Sequence, residues 1–374
     1  MPAIEFLSVT KRYPDGTVAV SSLDLAIEPA EYVCLLGPSG CGKSSTLRML
    51  AGLEEVSEGE LRLDGRAING LPAQRRDMAM VFENYALYPH LNVFDNIAMP
   101  LVARGRAASE ICTRVARVAE ALQISDLLKR YPAQLSGGQR QRVGVGRAIV
   151  RRPSTFLLDE PFGHLEAYLR LQLRAEFRRL HERLGTTTLH ITHDHEEAAA
   201  VSDRIAVIEQ GRLQQFGTFL ELLDNPVNRF VAEFIGSPPI NLLPAQLTGS
   251  ENGPCVKVGP AKVPLPMART AGLSQAVASE QLTFGVRPED VYFDTQDTSE
   301  TLFGDVVAIE PQGDFSLITV DITVGTIRAM MSSTTILRRG QRVGLRFDVS
   351  RAHLFAADGH SLLVPPVRPA GKAR

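Results

Sequence analysis

The residues best equipped for chemistry fall in three short stretches. The first is GPSGCGKSS, Gly37 to Ser45. It fits G-x-x-x-x-G-K-[ST], a spacing in which glycines let successive backbone N–H groups turn inward around phosphate oxygens. Gly37, Gly40 and Gly42 are those glycines, and Pro38, Ser39 and Cys41 fill the positions between them. The Cys41 backbone, rather than its thiol, should face the phosphate. Lys43 can reach the β- and γ-phosphates, the Ser44 hydroxyl can ligate Mg2+, and Ser45 closes the loop. The second stretch, TFLLDEP, is an apolar run that ends in Asp159 and Glu160. One carboxylate is placed to hold Mg2+, and the other to polarise an attacking water as general base. A plainer reading has both acids capping the segment from Pro161. The third is LSGGQRQRV. Ser136 can cap a helix there, and Gly137 and Gly138, ahead of Gln139, expose backbone donors at its start, a second anion site.

Alternating strands and helices must position these groups. EYVCLLG is a short apolar strand leading into the glycine turn, and KSSTLRMLAGL continues as a helix. STFLLDE and TTTLHITHD are further buried strands, so residues 1 to about 235 read as an α/β layer fold. A helical region at roughly 92–135 interrupts them. Within it Ile111, Val115, Val118, Ala119 and Leu122 recur at helical spacing, with Ser109 as the expected N-cap. Pro238 and Pro239 mark a linker. Beyond them, alternating runs such as FSLITVDIT and RVGLRFDV predict a small barrel-like β domain.

Composition narrows the classes. The chain has 374 residues, 44% apolar and 22% charged, with a net charge of −2. No basic excess points to nucleic acid. No run approaches the roughly 18 apolar residues of a membrane span, and MPAIEFLSVTKRY lacks a signal peptide's pattern. The expected location is therefore cytoplasmic. Cys34, Cys41, Cys112 and Cys255 form no CxxC pair, and reduced thiols are expected.

Together these motifs resemble the ATP-binding-cassette (ABC) ATPases, of which LSGGQ is the signature, and the resemblance covers nearly the whole chain. It implies an α/β P-loop ATPase domain (residues 1–236, helical subdomain insert at about 92–135), followed by an all-β, OB-like, transport-associated domain (237–374). It implies ATP and Mg2+ as ligands. Tyr13, in VTKRYPDG, matches the aromatic that stacks on adenine. Gly37 to Ser45 match the phosphate loop, Asp159 and Glu160 the magnesium and catalytic acids, and His193, in HITHDHEEA, the switch histidine. Ser136 to Gln139 would face a nucleotide held by a second copy. ENYALYPHLNVFDNIAMPL and FGVRPEDV (Phe284 to Val291) resemble the carbohydrate-import branch, although FGVRPEDV also reads as an edge strand with a proline turn. The implied assembly is a homodimer on the inner face of the membrane. It would work with two permease subunits and an extracytoplasmic solute-binding protein, without nucleic acid. Importers of polyamine, iron or anions, a nucleic-acid-directed ABC ATPase and a weakly hydrolysing regulatory subunit remain open at this point.

The sequence also departs from the family. Glu83 stands where glutamine is usual, beside the Mg2+ site, and a carboxylate there is drawn to the metal and repelled by the γ-phosphate. Gly163, His164, Leu165 and Glu166 replace the usual Ser-x-Leu-Asp. Gly144 and Gly146 lie inside the signature helix, where each costs about 1 kcal/mol against alanine. Tyr85 and Tyr88 are expected to offer polar-tipped aromatics to a membrane partner.

Overall fold

The computed structural model describes residues 3–82, 85–163, 167–250, 253–270, 273, 281–294, 296, 298–333 and 336–363. Glu83 and His164 to Glu166 therefore lie outside the described residues. Contacts divide the chain into two compact units, Met1–Phe219 and Leu220–Arg374.

The first unit holds strands β1 (Ile4–Arg12), β2 (Val18–Ile27), β3 (Tyr32–Leu36), β4 (Glu58–Leu63), β5 (Arg66–Ala67) and β6 (Met78–Val81). β7 (Thr155–Asp159), β8 (Thr187–Thr192), β9 (Arg204–Glu209) and β10 (Arg212–Gly217) complete it. Its helices are α1 (Lys43–Ala51), α2 (Val93–Val102), α3 (Ala108–Ala121), α4 (Gly137–Ile149), α5 (Ala167–Leu184) and α6 (His195–Val201). One sheet, ordered β2-β1-β4-β5, is antiparallel. The other is ordered β10-β9-β3-β8-β7-β6, parallel from β9 to β6, with β10 antiparallel at the edge. Strands covered on both faces are buried throughout: β3 does this with the apolar run YVCLL, while β8, TTLHIT, buries threonines and His190 as well. α1 contributes Leu47, Met49 and Leu50 to a core that draws Phe6 and Leu23 from one sheet and Leu35, Leu157 and Ile191 from the other.

Between β6 and β7 the chain runs through α2, α3 and α4, with α2 packed against both others. α3 buries Ile111, Val115 and Ala119, with Leu122 at its C-cap, as the periodicity predicts, while Val118 is only half-buried. Ser109 is not the N-cap. Ala107 holds that position without a side-chain bond, and Ser109 lies in the first turn, where its carbonyl accepts from Thr113 Oγ1 at 2.9 Å. A good capping residue is thus bypassed, because the amphipathic register sets where this helix starts.

In the second unit two short helices, α7 (Phe219–Asp224) and α8 (Arg229–Phe234), precede strands β11 to β20. These run β11 (Asn241–Ser250), β12 (Gly253–Val258), β13 (Ala261–Pro264), β14 (Leu282–Val286), β15 (Val291–Asp294), β16 (Leu302–Pro311), β17 (Phe315–Ile322), β18 (Gly325–Ser332), β19 (Arg342–Phe347) and β20 (His353–Phe355). They form two five-stranded sheets, β13-β12-β11-β14-β20 and β15-β19-β16-β17-β18, that share one apolar core. FGVRPEDV is not an edge: β14 is paired on both sides, by β11 and β20. Its buried Arg287 donates to the Ile235 and Leu223 carbonyls, both at 2.9 Å, and so satisfies the C-terminal ends of α8 and α7.

Candidate active site

Strand register decides what can meet. Leu36 of β3 pairs with Thr192 of β8, and Asp159 of β7 pairs with Ile191 of β8. The segments after these three parallel strands therefore leave the sheet at one carboxyl edge, where ligands bind in open α/β folds. The glycine loop follows β3, Glu160 follows β7, and His193 follows β8.

The glycines of the loop have distinct reasons. A Cβ on Gly37 would overlap the Ile208 carbonyl, and one on Gly42 the Ala19 carbonyl, so strands β9 and β2 press on the loop from outside. Gly42 is also left-handed, at φ 102°. Gly40 has open space around it but sits at φ 78°, which only glycine adopts freely. The exposed run Pro38, Ser39 and Gly40 forms the tip. Lys43 is buried and turns back into the loop, donating to the Gly37 carbonyl at 2.8 Å and the Pro38 carbonyl at 2.9 Å. Its ammonium thus waits at the centre of the cradle. Cys41 points inward, 3.7 Å from Lys43 Nζ, and burial raises its thiol pKa against the opposing Lys43 charge. Ser44 is exposed on the first turn of α1, and Ser45 follows, half-buried.

Glu160 sits at φ 44°, an uncommon conformation for a non-glycine residue that costs roughly 1 kcal/mol. Its N–H donates to the Ile191 carbonyl at 3.0 Å, which locks the turn. Its Oε2 lies 3.0 Å from His193 Nδ1. An ionised carboxylate only accepts, so Nδ1 is the donor in this contact. Next to this pair, Asp194 caps α6 through the Glu197 N–H at 3.0 Å and receives Arg174 at 2.7 Å. Burial pushes the Asp194 pKa up, but the Glu197 N–H and Arg174 outweigh it and hold the carboxyl below its usual range. Gln141 of α4 donates to the Pro161 carbonyl at 2.8 Å, tying the signature helix to the turn after the carboxylates.

Ser136 is the N-cap of α4, in a reciprocal capping box with Gln139: Oγ accepts from the Gln139 N–H at 3.3 Å, and Gln139 Oε1 from the Ser136 N–H at 3.0 Å. Gly137 and Gly138 occupy its first turn. Further along, Gly144 and Gly146 repay their helix-propensity cost through close approach. A Cβ on Gly144 would sit 3.3 Å from Tyr85 Cβ, and one on Gly146 would sit 3.2 Å from both Ile97 and Leu122. Arg147 donates to the Ala86 carbonyl at 2.6 Å and the Tyr85 carbonyl at 2.8 Å, holding the loop after β6 against α4. Asn96, fully buried, pins the same loop by bonding both the N–H and the carbonyl of Tyr88. Tyr85 is therefore turned inward at 7% exposure, contrary to the expectation that both tyrosines face a partner, while Tyr88 is 39% exposed. The loop's anchors Arg147 and Asn96, and Gln141 at the Pro161 turn, were not found from sequence, since each bonds main-chain atoms, which leave no compositional trace. Tyr13 is half-buried, and its hydroxyl meets Ser45 at the start of α1.

Comparison with known proteins agrees with this geometry. The ABC transporter family model matches residues 20–163, the MalK OB fold domain 236–291 and the TOBE domain 284–355. An uncharacterized ABC transporter ATP-binding protein of Sinorhizobium fredii is 46% identical over 356 residues, covering 95% of this chain and 93% of that protein. An sn-glycerol-3-phosphate import ATP-binding protein of Chromohalobacter salexigens is 43% identical, covering 96% of this chain and 95% of its own. A trehalose/maltose import ATP-binding protein of Thermococcus litoralis is 42% identical, with 95% and 98% covered. Among solved structures, a dimeric post-hydrolysis ATP-binding cassette bound to ADP and Pi matches with TM-score 0.53 and 28% identity, covering 57% of this chain and 98% of that one. A glycine loop, a strand-end carboxylate and a histidine on one parallel-sheet edge define a P-loop ATPase. Within that class the chain belongs to the ABC transporter ATP-binding proteins, with a C-terminal OB/TOBE β domain.

Proposed function

We propose that this chain is the ATP-hydrolysing subunit of an importer for sugars or sugar derivatives, and that Glu160 and His193 are its catalytic pair. The Glu160–His193 contact beside the phosphate loop carries the hydrolytic part of the reading. The solute class is supported by relatives whose names specify glycerol-3-phosphate, trehalose or maltose import.

In this reading Lys43 leaves the Gly37 and Pro38 carbonyls for the β- and γ-phosphates, and the loop N–H groups take the remaining oxygens. Tyr13 stacks on the base. Ser44 and Asp159 are the oxygen donors that Mg2+ prefers, one exposed on α1 and one ending β7. Bound there, Mg2+ would neutralise phosphate charge. Glu83 would join them as a third oxygen donor. Glu160 takes the proton of the attacking water, and His193 holds that water in line. Ser136, Gly137, Gly138 and Gln139 at the N-terminus of α4 face the γ-phosphate bound by a second copy. Two copies then close on two nucleotides and drive a pair of permease subunits from the inner face of the membrane, in a system with an extracytoplasmic solute-binding protein. No helix among the described residues is long and apolar enough to cross a membrane itself.

The test is ATP hydrolysis by the complete assembly in proteoliposomes. Turnover should rise when the binding protein carries a sugar or glycerol phosphate. Hydrolysis that ignores the loaded binding protein, or that RNA or DNA stimulates instead, contradicts the proposal.

A further inference from the structure

The Tyr13 hydroxyl is held at two points. It lies 2.9 Å from Ser45 Oγ and donates to Glu54 Oε2 at 2.7 Å. A carboxylate only accepts, so the one phenolic proton goes to Glu54 and the Ser45 hydroxyl donates to Tyr13. Glu54 is itself fixed between two cations, Lys11 at 3.7 Å and Arg48 at 3.6 Å, and its side chain is only 18% exposed. Lys11 Nζ also sits 5.1 Å from the Tyr13 ring centroid and donates to the Glu55 carbonyl at 2.9 Å. One face of the ring is therefore taken by a cation, and its far end is tied to the phosphate-loop helix.

Stacking gains depend on a ring whose plane is already set, because ordering a mobile side chain on binding weakens affinity. Tyr13 follows the last residue of a strand, and that strand alone does not fix its ring. The contacts at its hydroxyl do. We propose that Glu54 is a positioning residue for the nucleotide base. It fixes the plane of Tyr13, Lys11 reserves one ring face so that a purine stacks on the other, and Ser45 joins base binding to the phosphate loop. The inference rests on the reading that Tyr13 stacks on the base.

Isothermal titration of the full-length chain with ATP and with inorganic triphosphate, both with Mg2+, separates the two. Tyr13→Ala should weaken ATP more than tenfold and leave triphosphate unchanged. Glu54→Ala and Tyr13→Phe should each weaken ATP about three- to tenfold, the worth of a hydrogen bond, again with triphosphate unchanged. The double variant Glu54→Ala/Tyr13→Phe should bind ATP no more weakly than Tyr13→Phe alone, because the Tyr13–Glu54 contact is already gone in that single variant. Glu54→Gln, which still accepts the phenolic proton, should bind ATP close to wild type. If Tyr13→Ala weakens ATP and Glu54→Ala does not, the inference falls and the stacking reading stands. If Tyr13→Ala leaves ATP affinity intact, the stacking reading itself falls. Equal weakening of ATP and triphosphate by Glu54→Ala marks a merely structural role and also overturns the inference.

Discussion

At the scale of single residues, the phosphate loop shows two different uses of glycine, and they separate experimentally. Gly40 is required only for its left-handed backbone, since nothing lies within 4 Å of a Cβ there. Alanine in that conformation costs about 1–2 kcal/mol. Gly42 carries the same backbone demand and also meets the Ala19 carbonyl in hard overlap. Gly42→Ala should therefore lower the melting temperature distinctly more than Gly40→Ala, and it should displace the start of β2, at Ala19, from the loop. Equal melting temperatures for the two variants would show that the loop yields freely and that the overlap is relieved without cost. The loop's glycines and lysine could be picked out in the sequence because they lie in one contiguous stretch. The Tyr13–Glu54 contact could not, because its partners lie 41 positions apart and neither residue type announces the other.

At the scale of elements, β3 and β7 were legible from their apolar runs and α3 from its spacing, whereas β8 is buried despite its threonines and His190. The start of α3 was misjudged, since a serine in the right neighbourhood does not outweigh the register of the buried face. The glycines of α4 looked like a defect from propensity alone. Packing explains them: Gly146 lets Ile97 of α2 and Leu122 at the end of α3 approach α4. The contacts at Gly146 are flexible methyl ends, so Gly146→Ala should change stability by less than about 1 kcal/mol, its propensity gain offsetting mild crowding. Gly146→Val should cost about 1–3 kcal/mol by overpacking. Urea denaturation of the three proteins checks the order. A stabilised valine variant would contradict close packing of these helices.

At the scale of the molecule, acid sensitivity should centre on the second unit. His353 is buried, and burial with Arg287, Arg269 and Arg351 around it pushes its pKa from 6.5 down to about 3. The unfolded chain therefore binds the imidazole proton first, and the His353 contribution to stability falls as pH drops below 6.5, by about 1.4 kcal/mol at pH 5.5. Asp290 works in the opposite sense. Burial raises its pKa to about 6 despite Arg351 at 2.9 Å, so its cost is present above pH 6 and is lost towards 3.8. His353→Phe removes only the first effect. Its urea midpoint should fall less between pH 7 and pH 5.5 than that of the native chain, and an unchanged pH dependence would exclude His353 as the acid-sensitive group.

The catalytic reading depends on Glu160 acting on water at an edge that also holds the nucleotide. Replacing it with glutamine keeps the cradle of Gly37 to Ser45 and removes the base. The most direct measurement is the mass of purified Glu160→Gln in solution with MgATP, by size-exclusion chromatography with light scattering, alongside its turnover. The account predicts a stable species of twice the 40.8 kDa chain mass that needs ATP to form, with hydrolysis reduced at least about 100-fold. A variant that turns over ATP like the native chain would remove Glu160 from catalysis and contradict the account at its centre.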